Sequence, residues 1–93
     1  MRFEWDEAKR LSNLDKHGID FLRVRQMFDG RPVYTARSDF AEEVRWVTTG
    51  TLDADVITVV WTDRFSSKRI ISARRARTNE DRAYRALHGG GDR

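Results

Sequence analysis

Four arginines crowd one short stretch of this chain, Arg69-Ile70-Ile71-Ser72-Ala73-Arg74-Arg75-Ala76-Arg77. A guanidinium is planar and permanently charged, and it holds phosphate or carboxylate through two parallel hydrogen bonds. Edge strands also carry charge to resist aggregation, which explains one or two arginines better than four. Lys16-His17 is a second pair with chemical potential. Histidine gains and loses a proton near neutral pH, and a neighbouring lysine can hold an anion. The same two residues also suit the end of a helix, where cations complement the macrodipole. Arg45 stands between Val44 and Trp46 in an apolar pattern, so its charge must be paired, at a cleft or on an open sheet face. Glu80 and Tyr84 are four apart and share one face of a predicted helix.

Several other chemistries are excluded. The chain has no cysteine and two histidines, without the spacing of a zinc protease, so no metal site is expected. No glycine-rich phosphate loop is present. His88-Gly89-Gly90-Gly91 imitates the oxyanion motif of lipases, but no Gly-x-Ser-x-Gly elbow accompanies it. Trp46 and Trp61 read as core by their apolar neighbours, rather than as base-stacking platforms. The N-terminal residues turn acidic at once, and the longest apolar run, near 55–61, is too short to cross a bilayer. A cytoplasmic protein without cofactor or membrane partner is expected. The net charge of +3 hides a division. Through Asp63 there are nine Lys/Arg against twelve Asp/Glu, and from Arg64 onward nine against three. The C-terminal third is therefore the part that attracts phosphate backbones or an acidic protein.

The elements that must position these residues follow from pattern. With 93 residues, one domain over 1–87 is expected, with a flexible tail at 88–93. Phe3-Glu4-Trp5 alternates like a short strand. Asp6 caps a helix running to His17, whose apolar stripe is Ala8, Leu11 and Leu14. Gly18 ends it, with a Schellman contact expected between Leu14 and Ile19. Asp20 caps a second helix, on which Phe21, Val24 and Phe28 share a side beside Met27; Asp29-Gly30-Arg31-Pro32 stops it. Four strands follow, at 33–37, 43–51, 56–62 and 68–75, and the third is apolar on both faces, as befits a sheet centre. In the fourth, strict alternation puts Arg69, Ile71, Ala73 and Arg75 on one face and Ile70, Ser72 and Arg74 on the other. Arg74 and Arg75 thus cannot enter the same cleft. Thr78 caps a last helix to about Leu87, with Asp81 in a weak capping box. The expected fold is α+β: two N-terminal helices packed on a four-stranded antiparallel sheet, with a C-terminal helix.

Taken in order, these residues resemble a known family. Phe3-Glu4-Trp5-Asp6-Glu7-Ala8-Lys9, Asn13 and Lys16-His17-Gly18-Ile19 with Phe21 look like the opening of BrnT-family toxins. Arg45-Trp46, Gly50, Ile57-Thr58-Val59-Val60, Arg64 and the arginine-rich segment from Arg69 to Ala76 continue the likeness, which closes on Glu80 and Tyr84. Asp20 stands where the family usually has a serine cap, and Leu22-Arg23-Val24-Arg25 replaces a more acidic run.

The resemblance implies a RelE-like fold, a ribonuclease that shuts down translation, and a ribbon-helix-helix (BrnA-like) antitoxin. It also implies two toxins with two antitoxins, and operator DNA bound only through the antitoxin. Metal-free RNA cleavage needs a base for the ribose 2′-OH, an acid for the leaving oxygen and cations for the developing charge. On that reading His17 is the leading base or acid, with Glu80 or Tyr84 as counterpart. Arg45 and Arg74 stabilise charge, while Lys16, Arg69, Arg75 and Arg77 hold the RNA backbone. Arg74, read as a solvated strand position, is expected to be replaceable with little loss of stability. The alternative function is a non-enzymatic module that binds nucleic acid or protein through the same arginines.

Overall fold

A computed structural model describes residues 1–40 and 42–88. The elements in chain order are β1 (Arg2–Glu4), α1 (Glu7–His17), α2 (Phe21–Val24), a 3₁₀ turn (Arg25–Phe28), β2 (Val33–Phe40), β3 (Glu43–Leu52), β4 (Asp55–Arg64), β5 (Ser67–Arg75) and α3 (Thr78–His88). The fold is α+β, as expected, but the sheet has five strands and is mixed. Its order is β1-β5-β4-β3-β2. The short N-terminal run joins it parallel to β5, with Phe3 opposite Lys68 and Glu4 opposite Arg69. Local pattern marked that strand but could not find its distant partner. Of the expected tail, His88 closes α3 and the remaining residues lie outside the described ones.

Both N-terminal caps form as read. Asp6 accepts from the Ala8 N–H and Asp20 from the Leu22 N–H, each at 2.9 Å. Gly18 takes the left-handed conformation at φ 71° and donates to the Leu14 carbonyl at 2.8 Å. That single bond is the simpler left-handed ending, in place of the expected Schellman motif. The second helix is only one α turn before it tightens to 3₁₀. Three residues per turn stack side chains at i and i+3, so Phe21, Val24 and Met27 form the fully buried row and Phe28 is only partly buried.

That row packs on one sheet face made by Ile57, Val59, Trp61, Ile70 and Ala73. The Trp61 indole N–H donates to the Thr48 hydroxyl at 2.8 Å, so its polar atom is satisfied in the core. Gly50 lies under this layer. A Cβ there would come within 2.9 Å of a Val33 methyl.

α1 docks in a way its apolar stripe does not foretell. Leu11 and Leu14 are 53% and 37% exposed, whereas Asn13 is buried at 8%. β1 pairs with β5 only as far as Arg69, and α1 runs along the remaining edge of that strand. There the Asn13 amide does the work of a missing strand. Its Nδ2 donates to the Ala73 carbonyl at 2.8 Å, its Oδ1 accepts from the Ala73 N–H at 3.2 Å, and Nδ2 also reaches the Ile19 carbonyl at 3.1 Å. Leaving such buried groups unsatisfied costs about 1–3 kcal/mol each. Asn13→Ala is therefore expected to lower the unfolding free energy by about 2–4 kcal/mol in urea titrations. Leu11→Ala, on the same helix, is expected to change it by less than about 0.5 kcal/mol.

Candidate active site

β5 contains a bulge that redistributes its side chains. Val60 pairs with Ser72 but Trp61 with Ile70, so Ile71 is an extra residue. Ile70 and Ala73 consequently face the same core, at 1% and 0% exposure. Strict alternation, which separates Ile70 from Ala73, fails at this point. By the same shift Arg69 joins Arg74 on the opposite face. Cross-strand partners share a face. The rows Ser72–Val60–Val47 and Arg74–Thr58–Thr49 therefore lie on that second face, with Arg45 opposite Ser38 beside them. Arg75 turns to the helical side of the sheet and pairs with Asp55 at 2.8 Å. The two adjacent arginines thus point apart, as the strand pattern requires.

α3 crosses one end of this second face and brings Glu80 to Arg74. The two meet through parallel hydrogen bonds, Nη1 to Oε1 at 2.7 Å and Nη2 to Oε2 at 2.9 Å. Their side chains are only 21% and 15% exposed. Glu80 also accepts from the Thr58 hydroxyl at 3.1 Å and from the Arg77 N–H at 2.8 Å. The Thr49 and Thr58 hydroxyls lie 2.8 Å apart. Since Thr58 donates to Glu80, Thr49 donates to Thr58.

The bond from Arg77 has a local cause. The Arg77 carbonyl accepts the Asp81 N–H at 2.9 Å, which makes Arg77 the N-cap and Glu80 the third helical residue. Glu80 reaching back to the cap N–H is half of a capping box. The box thus lies one residue earlier than the Thr78–Asp81 pair the sequence suggests. The Arg74 guanidinium, the cap N–H and Thr58 together hold the Glu80 carboxyl down at about 2, against partial burial that pushes it up. Arg74 is in turn held more firmly charged than usual, chiefly by Glu80.

The remaining candidates are distributed around this pair. Tyr84 lies one turn beyond Glu80 and its ring meets that of His88 at 5.3 Å. His88 Nε2 donates to the Val33 carbonyl at 2.7 Å, tying the end of α3 to β2. Arg45 bonds Glu43 at 2.9 Å, and Arg69 pairs with Glu4 at 2.8 Å. Arg77 is exposed at the head of α3. Lys16 and His17 stand at the end of α1. They line a shallow depression of about 230 Å³ with Lys9, Ser12 and Ser72. His17 also borders a smaller one with Arg75 and Asp55. Among the described residues, no hydrogen bond, ion pair or ring contact joins His17 to Arg74, Glu80 or Tyr84, and no three His, Asp or Glu residues are grouped as a metal would need.

A family model for the ribonuclease toxin BrnT, of type II toxin–antitoxin systems, matches residues 5–80. The chain belongs to this family. No curated protein matches it. The matched span runs from Trp5 to Glu80, so it includes Asn13, His17, Arg45 and the whole Arg74–Glu80 pair, while Tyr84 and His88 lie beyond it. For this BrnT toxin, reading the sequence misses Thr49 and Thr58. Threonine is ordinary in strands, and only the cross-strand register reveals that the two hydroxyls stack toward Glu80.

The charge state of Glu80 makes a stability prediction. Its folded value of about 2 lies below the ordinary 4.5. The pair's contribution is therefore complete above pH 4.5 and is lost as the pH falls toward 2. At about 1.4 kcal/mol per unit, that contribution is up to about 3 kcal/mol. Glu80→Gln is expected to be less stable at pH 7 by about that amount, with the gap to wild type closing between pH 4.5 and 2 in urea titrations. A gap that stays constant with pH would show that the pair is not responsible.

Proposed function

We propose that this BrnT toxin is an endoribonuclease of the cytoplasm that inhibits translation without a metal, and that Arg74 and Glu80 are its reactive pair. The observation that carries this reading is the two-bond Arg74–Glu80 pair at the margin of a sheet face that also bears Arg45 and Arg69. Phosphate and carboxylate present the same two-oxygen geometry to a guanidinium. An RNA phosphate can therefore take the place of Glu80 on Arg74. The exchange does two things at once. It sets a fixed cation against the phosphate, where negative charge grows in the transition state. It also frees the carboxylate from the charge that depresses its basicity, so Glu80 becomes a competent base.

In the reaction, Glu80 takes the 2′-OH proton, O2′ bonds to phosphorus and the P–O5′ bond breaks. The leaving O5′ receives a proton from Tyr84, one helical turn from Glu80. The products are a 2′,3′-cyclic phosphate and a 5′-hydroxyl. Arg45 shares in charge stabilisation. Lys16, His17, Arg69 and Arg77 hold the RNA backbone along the rim, which moves the base from His17, favoured by the sequence, to Glu80; Arg75, paired with Asp55 on the opposite face, drops out of the backbone-binding set. Glu80 is preferred because it meets Arg74 directly, through two hydrogen bonds.

Purified protein is expected to cleave RNA in EDTA and to leave cyclic phosphate ends. Loss of cleavage in EDTA with recovery in magnesium would reject the mechanism. Arg74→Ala is unsuitable as a probe, because it strands a carboxylate that is only 15% exposed, contrary to the solvated position read from sequence. Arg74→Lys keeps the charge and removes the two-bond fork. It is expected to reduce kcat/KM on short RNA by about 10²-fold or more. Cleavage at the wild-type rate by a folded Arg74→Lys protein would place the chemistry elsewhere.

The toxin–antitoxin assignment implies an antitoxin partner. We take it to be a ribbon-helix-helix (BrnA-like) protein, in a complex of two toxins and two antitoxins. The toxin has no helix-turn-helix or zinc-finger motif among the described elements, so operator recognition falls to the partner. An acidic antitoxin segment lying on the open sheet face would compete for the same arginines and block RNA. The co-purified complex is expected to retard promoter DNA specifically and to be inactive on RNA. Specific retardation by toxin alone would overturn this division of labour.

A further inference from the structure

The Arg74–Glu80 pair does not stand alone on its face of the sheet. A groove of about 260 Å³ begins beside Glu80 and runs between α3 and the strands β2 and β3. Liquid water occupies about 30 Å³ per molecule, so the groove accommodates a ring-sized group rather than a single ion. Ala36, Val47 and Ala83 supply apolar walls, and the two alanines are what keep the slot open. Tyr34, Ser38 and Asn79 also line it, and their side chains make no hydrogen bond within the described chain. Ser38 and Asn79 are exposed and Tyr34 is half-buried, so the slot is open to solvent and its rim can exchange water for a ligand.

Charged groups flank the groove, and Arg37, paired with Asp39 at 3.0 Å, lines it as well. Glu80 lines one end and carries Arg74 with it. Ser38 lines the other and is the cross-strand partner of Arg45, which shares its face. An apolar-faced, polar-rimmed slot that opens beside the Arg74–Glu80 pair has the pattern of a flat base held next to a phosphate site. Single-stranded RNA is read in this way, by unstacked bases held on their faces and hydrogen-bonded at their edges.

We infer that the groove between α3 and β2–β3 is a nucleobase subsite that fixes which phosphodiester reaches Arg74. This deepens the ribonuclease reading and rests on it. The Asn79 amide, with a donor and an acceptor side by side, is the group suited to reading the base edge. The Tyr34 and Ser38 hydroxyls complete the rim. Ala83 sits on the helix wall, where a leucine fills the slot without disturbing helix propensity.

The test separates base binding from chemistry. ¹⁵N-labelled protein is titrated with the four nucleoside 3′-monophosphates and, in parallel, with inorganic phosphate. The nucleotides are expected to shift the amides of Val47, Thr49, Asn79 and Ala83, whereas phosphate shifts only those around Arg74. One base is expected to bind at least about threefold more tightly than the weakest. Ala83→Leu is expected to abolish the nucleotide-specific shifts, leave the phosphate shifts in place, and flatten the cleavage pattern on a mixed-sequence RNA. Asn79→Ala serves as a second variant and is expected to narrow the affinity differences among the four nucleotides. Nucleotides that shift only what inorganic phosphate shifts would overturn the subsite while leaving the ribonuclease reading intact. So would an Ala83→Leu protein with an unchanged cleavage pattern. Base binding in the groove by a wild-type protein that cleaves no RNA would overturn the catalytic reading and leave the subsite standing.

Discussion

One asparagine amide determines how the two halves of the molecule meet. Asn13 returns to Ala73 both backbone bonds that a neighbouring strand would make, and it binds the Ile19 carbonyl as well. α1 is thereby held against the exposed part of the β5 edge, and the turn leading into α2 is fixed beside it. From that turn the row Phe21, Val24 and Met27 descends onto the sheet and closes the core. The contact is also adjacent to the chemistry. Ala73 precedes Arg74, so the amide that seals the edge sets the course of the backbone from which the arginine paired with Glu80 projects. An edge strand without such a cover is a template for unwanted pairing.

A second constraint separates core from site. The extra residue at Ile71 lets Ile70 and Ala73 both enter the core while Arg69 and Arg74 both leave it. Strict alternation would have buried an arginine or exposed an isoleucine somewhere along this strand. The bulge removes that conflict, and the arginines end on a face that α3 covers only in part. α3 has no fully buried residue. Its attachment rests mainly on Glu80, which caps the helix and binds Arg74 and Thr58 together, and on His88 at the far end.

Stability and function therefore converge on Glu80. The same carboxylate starts a helix, neutralises a guanidinium that is four-fifths buried, and is the base in the proposed reaction. A pair this strong would be inert if nothing could replace the carboxylate. Phosphate can, because it offers the guanidinium an equivalent pair of oxygens. Arg85 and Arg75 each pair with a carboxylate through one bond, Asp81 at 2.6 Å and Asp55 at 2.8 Å, and such open pairs add little to the fold. The basic C-terminal third is thus less of an open field than its composition suggests.

Much of this arrangement was written in local pattern. The caps at Asp6 and Asp20, the stop at Gly18, the central place of β4, the core roles of Trp46 and Trp61 and the opposite facing of Arg74 and Arg75 all depend on neighbours in sequence. So did the family, because the order of Asn13, Lys16-His17, Arg45-Trp46 and the arginine strand survives as spacing. Contacts between residues far apart along the chain were not legible. Leu11 and Leu14 have helical apolar spacing, yet Asn13 is the residue that docks, because only the fold reveals an unpaired strand edge in need of an amide. Glu80 had the look of one half of a helix-face pair with Tyr84. Arg74 and Thr58 reach it only after β4 and β5 align in register. Residue type and short-range spacing declare what a side chain can do. Which groups it meets was decided by the tertiary structure, since a buried polar group must find a partner wherever the chain brings one within about 3 Å.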